Sequence, residues 1–72
     1  MDAMRIHGVV VRIEPALDFG FIRDDGNGDW FFVGAGVRGG PQALRVGAHV
    51  TFEYEGTFQG PRATDIVVER VA

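Results

Sequence analysis

The chain contains no cysteine, no serine and no lysine. Without cysteine there is no disulfide to staple the fold and no thiolate to hold a metal. Without serine or cysteine the usual acyl-transfer nucleophiles are missing, and no carboxylate pair is placed against a histidine, so no catalytic constellation is legible and an enzyme is not expected. No apolar run approaches the length needed to span a bilayer. The opening residues MDAMRIHG hold no apolar segment of signal-peptide type. The expectation is a soluble, cytoplasmic protein that needs no membrane, cofactor or metal. All seven basic residues are arginine and stand against ten acidic ones, for a net charge of −3. That is the wrong sign for a strong phosphate binder, although arginine can stack on bases as well as pair with phosphates.

What is present is apolar and aromatic. With 72 residues, 46% of them hydrophobic, the chain reads as one small domain, 1–72, that must fold on its own core. Two aromatic runs dominate: Asp18-Phe19-Gly20-Phe21-Ile22 and Asp29-Trp30-Phe31-Phe32-Val33, separated by Asp24-Asp25-Gly26-Asn27-Gly28. Asp-Gly and Asn-Gly tolerate the positive φ of hairpin turns. In a strand, alternate residues share a face. Phe19 and Phe21 therefore point one way and Phe31 can join them from the next strand, while Ile22, Trp30 and Phe32 turn to the opposite face. Three rings on one face of a small sheet make a platform on which unpaired bases can stack. Both faces of so small a sheet cannot be buried, which favours a platform over a second layer of core. Alternation puts Trp30 in the core or at its rim.

The remaining pattern is also β. Residues 7–13 are β-branched, 19–23 and 29–33 carry the aromatic runs, 49–55 alternate Val50, Phe52 and Tyr54 against polar residues, and 63–71 form a last strand. Residues 34–41 are too glycine-rich for regular structure, 42–47 connect, and 56–62 read as a loop punctuated by Gly60-Pro61. Five closely spaced strands without a helix predict a closed five-stranded antiparallel barrel, which removes exposed edges. The expected core is Val10, Ile13, Ile22, Trp30, Phe32, Val37, Leu44, Val50, Phe52, Tyr54 and Ile66.

At this point the chain resembles the cold-shock domain, an OB-type barrel that binds single-stranded nucleic acid. The resemblance runs from about Gly8 to Glu69. Gly8-Val9-Val10-Val11 resembles the opening strand, and Phe19-Gly20-Phe21-Ile22 the core of the first ribonucleoprotein-like motif. Asp29-Trp30-Phe31-Phe32-Val33 lines up with the second motif, usually Asp-Val-Phe-Val-His-Phe. Leu44 with Gly47 to Phe52, and Gly60-Pro61 with Ala63, are similar to the later signatures. The departures fall on the binding face. Arg12 stands where the family has a stacking tryptophan. Leu17-Asp18 replaces Lys-Gly, Val33-Gly34 replaces His-Phe, and Gln59 replaces a basic residue. The resemblance implies base stacking on Phe19, Phe21 and Phe31; if the chain binds nucleic acid, Arg12, Arg38 and Arg62 are the candidate phosphate or base contacts, and Asp29 of the second motif belongs to the same candidate site.

Other features leave alternatives open. Phe58 can supply a replacement ring near the platform or cover a barrel end. Arg12 can face a ligand or be a solvated charge beside Asp18 or Glu14. His7 and His49 are far apart in sequence, with no ligand cluster around them. The run from Asp24 to Asp29 lacks the closing glutamate and the flanking helices of a calcium loop. Two functions remain. One is a single-stranded RNA or DNA binding module. The other is a protein-interaction or homodimer module using the apolar face of Val9, Val11, Phe19, Phe21, Phe31 and Val33. The acidic rim favours the second, and the resemblance favours the first.

Overall fold

A computed structural model describes residues 4–71. Strand β1 (Ile6–Glu14) leads through a 3-10 turn at Pro15–Leu17 into β2 (Phe19–Asp24), which pairs with β3 (Asp29–Val33). Short 3-10 turns at Gly34–Gly36 and Pro41–Ala43 carry the chain to β4 (His49–Thr57) and β5 (Gly60–Arg70). The strands close into a barrel in the order β1-β2-β3-β5-β4.

One junction is not antiparallel. β1 runs against both of its neighbours, β2 and β4, and each hairpin then reverses direction. β3 and β5 therefore both run with β1 and meet in parallel at Phe31 and Arg62. A ring with an odd number of strands cannot alternate throughout, so the wholly antiparallel barrel expected from the sequence is corrected at this seam. The parallel bridge between Val37 and Ile66 extends the same seam beyond β3.

The core comprises Val10, Ile22, Phe32, Val37, Leu44, Ala48, Val50, Phe52, Ala63 and Ile66, with Ile6, Ile13, Trp30 and Val68 packed against it half-buried. Two β-bulges set which side chains reach it. On β1, Val10 pairs with Ile22 and Arg12 with Phe21, leaving Val11 as an extra residue. The bulge lets Val10 and Ile13, three apart, both turn inward. On β5, Thr51 pairs with Val67 and Glu53 with Thr64, and the extra length bulges at Asp65, which takes φ of 50°. Ala63 and Ile66, again three apart, are both fully buried. Arg5 straps this bulge. Its guanidinium donates to the Thr51 carbonyl at 2.9 Å and to Asp65 Oδ2 at 3.0 Å, and also to the Asp65 carbonyl.

Three sequence expectations change. Tyr54 has core parity but is 62% exposed. Its ring stands edge-on to Trp30 at 5.9 Å, and Trp30 in turn packs against the buried Phe52 at 5.2 Å. The expected loop at 56–62 is a tight hairpin: Gly56 pairs with Pro61 and Thr57 with Gly60, leaving Phe58 and Gln59 as the turn. The glycine-rich segment after β3 contains a 3-10 turn and then a buried Val37.

Gly20 shows why the first aromatic run reads Phe-Gly-Phe. It pairs with Phe32 across the β2–β3 ladder, and the Phe32 ring lies over it. A Cβ there would come within 2.6 Å of Phe32 Cζ and 2.4 Å of the Arg12 carbonyl oxygen. Gly20→Ala should therefore destabilise the barrel. Phe52→Ala, which empties a fully buried site, should cost about 3–5 kcal/mol. In a domain this small that is most of the folding free energy, so urea titration should show little or no folded plateau for Phe52→Ala.

Candidate nucleic-acid interface

The outer face of β1, β2, β3 and the start of β5 is built by register. Arg12 pairs with Phe21, Phe21 with Phe31, and Phe31 with Arg62. These four residues make one row across four strands, with a cation at each end and two rings between. The Val11 bulge creates this row: without the extra residue, Arg12 would share the inward face of Val10. A second row runs Glu14, Phe19, Val33, and a third Val9, Arg23, Asp29.

The three rings touch one another. Phe19 stacks on Phe31 with centroids 5.6 Å apart and planes at 28°. Phe21 meets both edge-on, at 6.0 Å from Phe19 and 5.8 Å from Phe31. Each is half-buried, as are Val9, Val11 and Val33 around them. The rings thus hold one another in place and keep part of their area open to solvent, the condition for offset stacking of a further ring.

The charges around this face are largely paired. Arg12 Nε donates to Glu14 Oε2 at 2.8 Å, and Arg23 Nε to Asp29 Oδ1 at 2.9 Å. The Arg23 hydrogen bond holds the Asp29 carboxyl below its ordinary range. Val11, Arg12, Phe21, Arg23 and Asp29 together line a shallow depression on the sheet. Arg23 is the member the sequence reading missed; its cross-strand partnership with Asp29 was the available signal. Arg62 is different. Half-buried at the far end of the row, it has no carboxylate partner among the described residues, and its Nε is buried without a hydrogen bond. It lines a second depression with Phe31, Thr57, Gln59, Gly60 and Pro61.

Arg38 is held by Asp65, which accepts from its Nη2 at 2.7 Å on each carboxylate oxygen. Phe58 is fully exposed at the tip of the β4–β5 hairpin, between Thr57 and Gln59, which line the second depression with Phe31. The fold also joins His7 and His49, whose rings are 5.7 Å apart. His7 Nδ1 lies 3.1 Å from Asp25, and Arg70 Nη2 lies 3.3 Å from His49 Nε2. No group of three metal-ligating side chains forms among the described residues.

Trp30 sits at the rim on the core side, opposite Ile22. Its indole N–H donates to Asp24 Oδ2 at 2.8 Å, while Asp24 Oδ1 accepts from the Gly26 and Gly28 amides at 2.8 and 2.9 Å. One carboxylate thus closes the β2–β3 turn and pins the ring beneath it.

The chain matches no family model and no curated protein.

Hydrogen bonds, first that from Trp30 and then those from the turn amides, hold the Asp24 carboxyl below its ordinary 3.8. A depressed folded value means that the unfolded chain binds the proton more tightly. The stabilisation is therefore complete above the ordinary value and is lost as pH falls through the folded one. Asp24→Asn should lower the urea midpoint at neutral pH and shrink the loss of stability between about pH 5 and pH 2. An unchanged acid limb would contradict this role.

Proposed function

We propose that the chain binds single-stranded RNA or DNA by stacking unpaired bases on Phe19, Phe21 and Phe31. The observation that carries this reading is the contiguous, half-exposed triad of rings, flanked by Arg12 and Arg62 in one cross-strand row. Stacking on an aromatic side chain contributes about 1–3 kcal/mol per base, tolerates any sequence, and is not additive from ring to ring. Arg62 has no carboxylate partner among the described residues and lines a depression with Phe31, so its guanidinium is free to meet a ligand acceptor beside that ring. Since Arg12 and Arg23 carry carboxylate partners, few counterions would be released on binding. Micromolar or weaker affinity with a shallow salt dependence follows.

The same ion pairing favours a second reading, in which the apolar face docks a protein partner or a second copy of the chain. An apolar patch rimmed by neutralised charge suits such a surface. Titration of labelled heptameric oligo-dT and oligo-U, beside a mass measurement of oligomeric state, separates the two. Under the first reading the heptamers bind a monomer, and duplex of the same length binds less well because its bases are already stacked. Phe19→Ala, Phe21→Ala and Phe31→Ala should each weaken binding severalfold while leaving the fold intact. Absence of binding at low salt together with a dimer mass would transfer the face to the second reading.

Trp30 gives an internal control. Its ring packs on the core side of β3, so saturating oligonucleotide should change its emission little even where a label reports binding. Unfolding should shift it strongly to the red. Strong quenching at unchanged fold would mean that the ligand sits on the other side of the sheet.

A further inference from the structure

Beside the triad, at the end of the barrel, lies a cavity of about 560 Å³, within the usual range for small-ligand pockets. Its apolar walls include Phe19, Phe32 and Leu44, and its polar lining includes Asp18, Gln42 and Arg45. Phe19 belongs to both the cavity wall and the stacking platform, so the cavity adjoins that face.

Asp18 is the distinctive group. It takes a left-handed conformation, with φ of 58°. Its N–H donates to the Pro15 carbonyl at 3.2 Å, and its carbonyl accepts from the Gly34 N–H at 2.9 Å. Its carboxylate lies over Gly34, where a Cβ would come within 1.9 Å of Oδ1. The backbone is thus held from both sides, and the absence of a side chain at Gly34 makes room for the carboxylate. Among the described residues that carboxylate has no hydrogen-bond or ion-pair partner, whereas Glu14 on the same cavity wall is engaged by Arg12. Arg45 contributes the cation. Its guanidinium donates to the Leu44 carbonyl at 3.2 Å and has no carboxylate partner among the described residues.

We propose that this cavity is a guanine pocket: Asp18 accepts from the base edge, Phe19 and Leu44 flank its plane, and Arg45 meets the phosphate. A carboxylate offers two acceptors and no donor. Only guanine among the common bases presents two adjacent donors, N1–H and the 2-amino group, on its Watson–Crick edge. Cytosine and adenine set an acceptor next to their amine, and thymine and uracil flank N3–H with carbonyl oxygens, so each would place a lone pair against the carboxylate. The inference rests on the stacking reading for a base delivered within a strand. A free guanine nucleotide presents the same donors, and the test separates the two sources.

Affinities of oligo-dT heptamer and of seven heptamers with a single dG at successive positions would be measured for wild type and Asp18→Asn. In parallel, amide chemical shifts would be followed on addition of guanosine monophosphate, with adenosine monophosphate as the control. Asparagine also tolerates the left-handed region, so the variant should keep its fold, and a carboxamide cannot accept both donors. For at least one dG position, wild type should prefer the dG heptamer over oligo-dT roughly tenfold, as a bidentate base-edge contact gives. In Asp18→Asn that ratio should fall to about one. Guanosine monophosphate moving the Asp18, Gly34 and Leu44 amides without a heptamer preference would assign the pocket to the free nucleotide. Oligo-dT binding with no preferred dG position and no selective shift for guanosine monophosphate would overturn the pocket and leave the platform standing. Failure of every oligonucleotide and both nucleotides to bind would overturn both.

Discussion

A ring of five strands has to contain one parallel seam, and most of what is distinctive on this barrel is arranged around it. The seam joins β3 to β5, which brings Arg62 alongside Phe31 and extends the aromatic row onto a third hairpin element. Only one register pair joins the two strands, so the seam is short. Beyond it the chain adds the Val37–Ile66 bridge and the Arg38 amide bound to the Ile66 carbonyl at 2.8 Å. The bulge at Asp65 turns Ile66 inward at this point. Arg5 and Arg38 converge on the same aspartate from β1's approach and from the loop after β3. Closure, core filling and ion pairing thus meet within a few residues of one junction, where the ladder itself is weakest.

The division of β2 and β3 into a core face and an outer face was legible from alternation alone, because neither strand is interrupted. Phe32 and Ile22 are buried, Trp30 is at the rim, and the phenylalanine triad is half-exposed outside. Where strands carry bulges, alternation misleads. Val10 with Ile13, and Ala63 with Ile66, are spaced by three, and neither valine at position 11 nor aspartate at 65 announces an extra residue. For Arg12 the sequence left open whether it faces a ligand or is a solvated charge; the bulge sets it directly across from Phe21. Gly60-Pro61 read as loop because proline cannot donate to a ladder. At the first turns of β5 it needs no donor on its outer side, and the hairpin continues almost to its tip.

The electrostatic character of the surface was the least legible part. Net charge gave the sign, but the partners lie far apart in the chain: Arg38 is 27 residues from Asp65, and Arg5 is 60. Exposed pairs of this kind contribute little stability each. Their larger effect is on what the face can attract, since an arginine already facing a carboxylate offers a phosphate little net charge. Arg12, Arg23 and Arg38 are all engaged in this way, whereas Arg62 has no carboxylate partner among the described residues. The surface therefore relies on ring area more than on charge.

The packing of Asp18 against Gly34 constrains how this sequence can change. The carboxylate occupies the space over Gly34, and it is the outer end of an exposed side chain that a change of rotamer can swing away. A side chain added at position 34 would therefore displace the carboxylate before it disturbed the strands. The two positions, far apart in the chain, are coupled in space: what stands at 34 decides where the charge at 18 can lie.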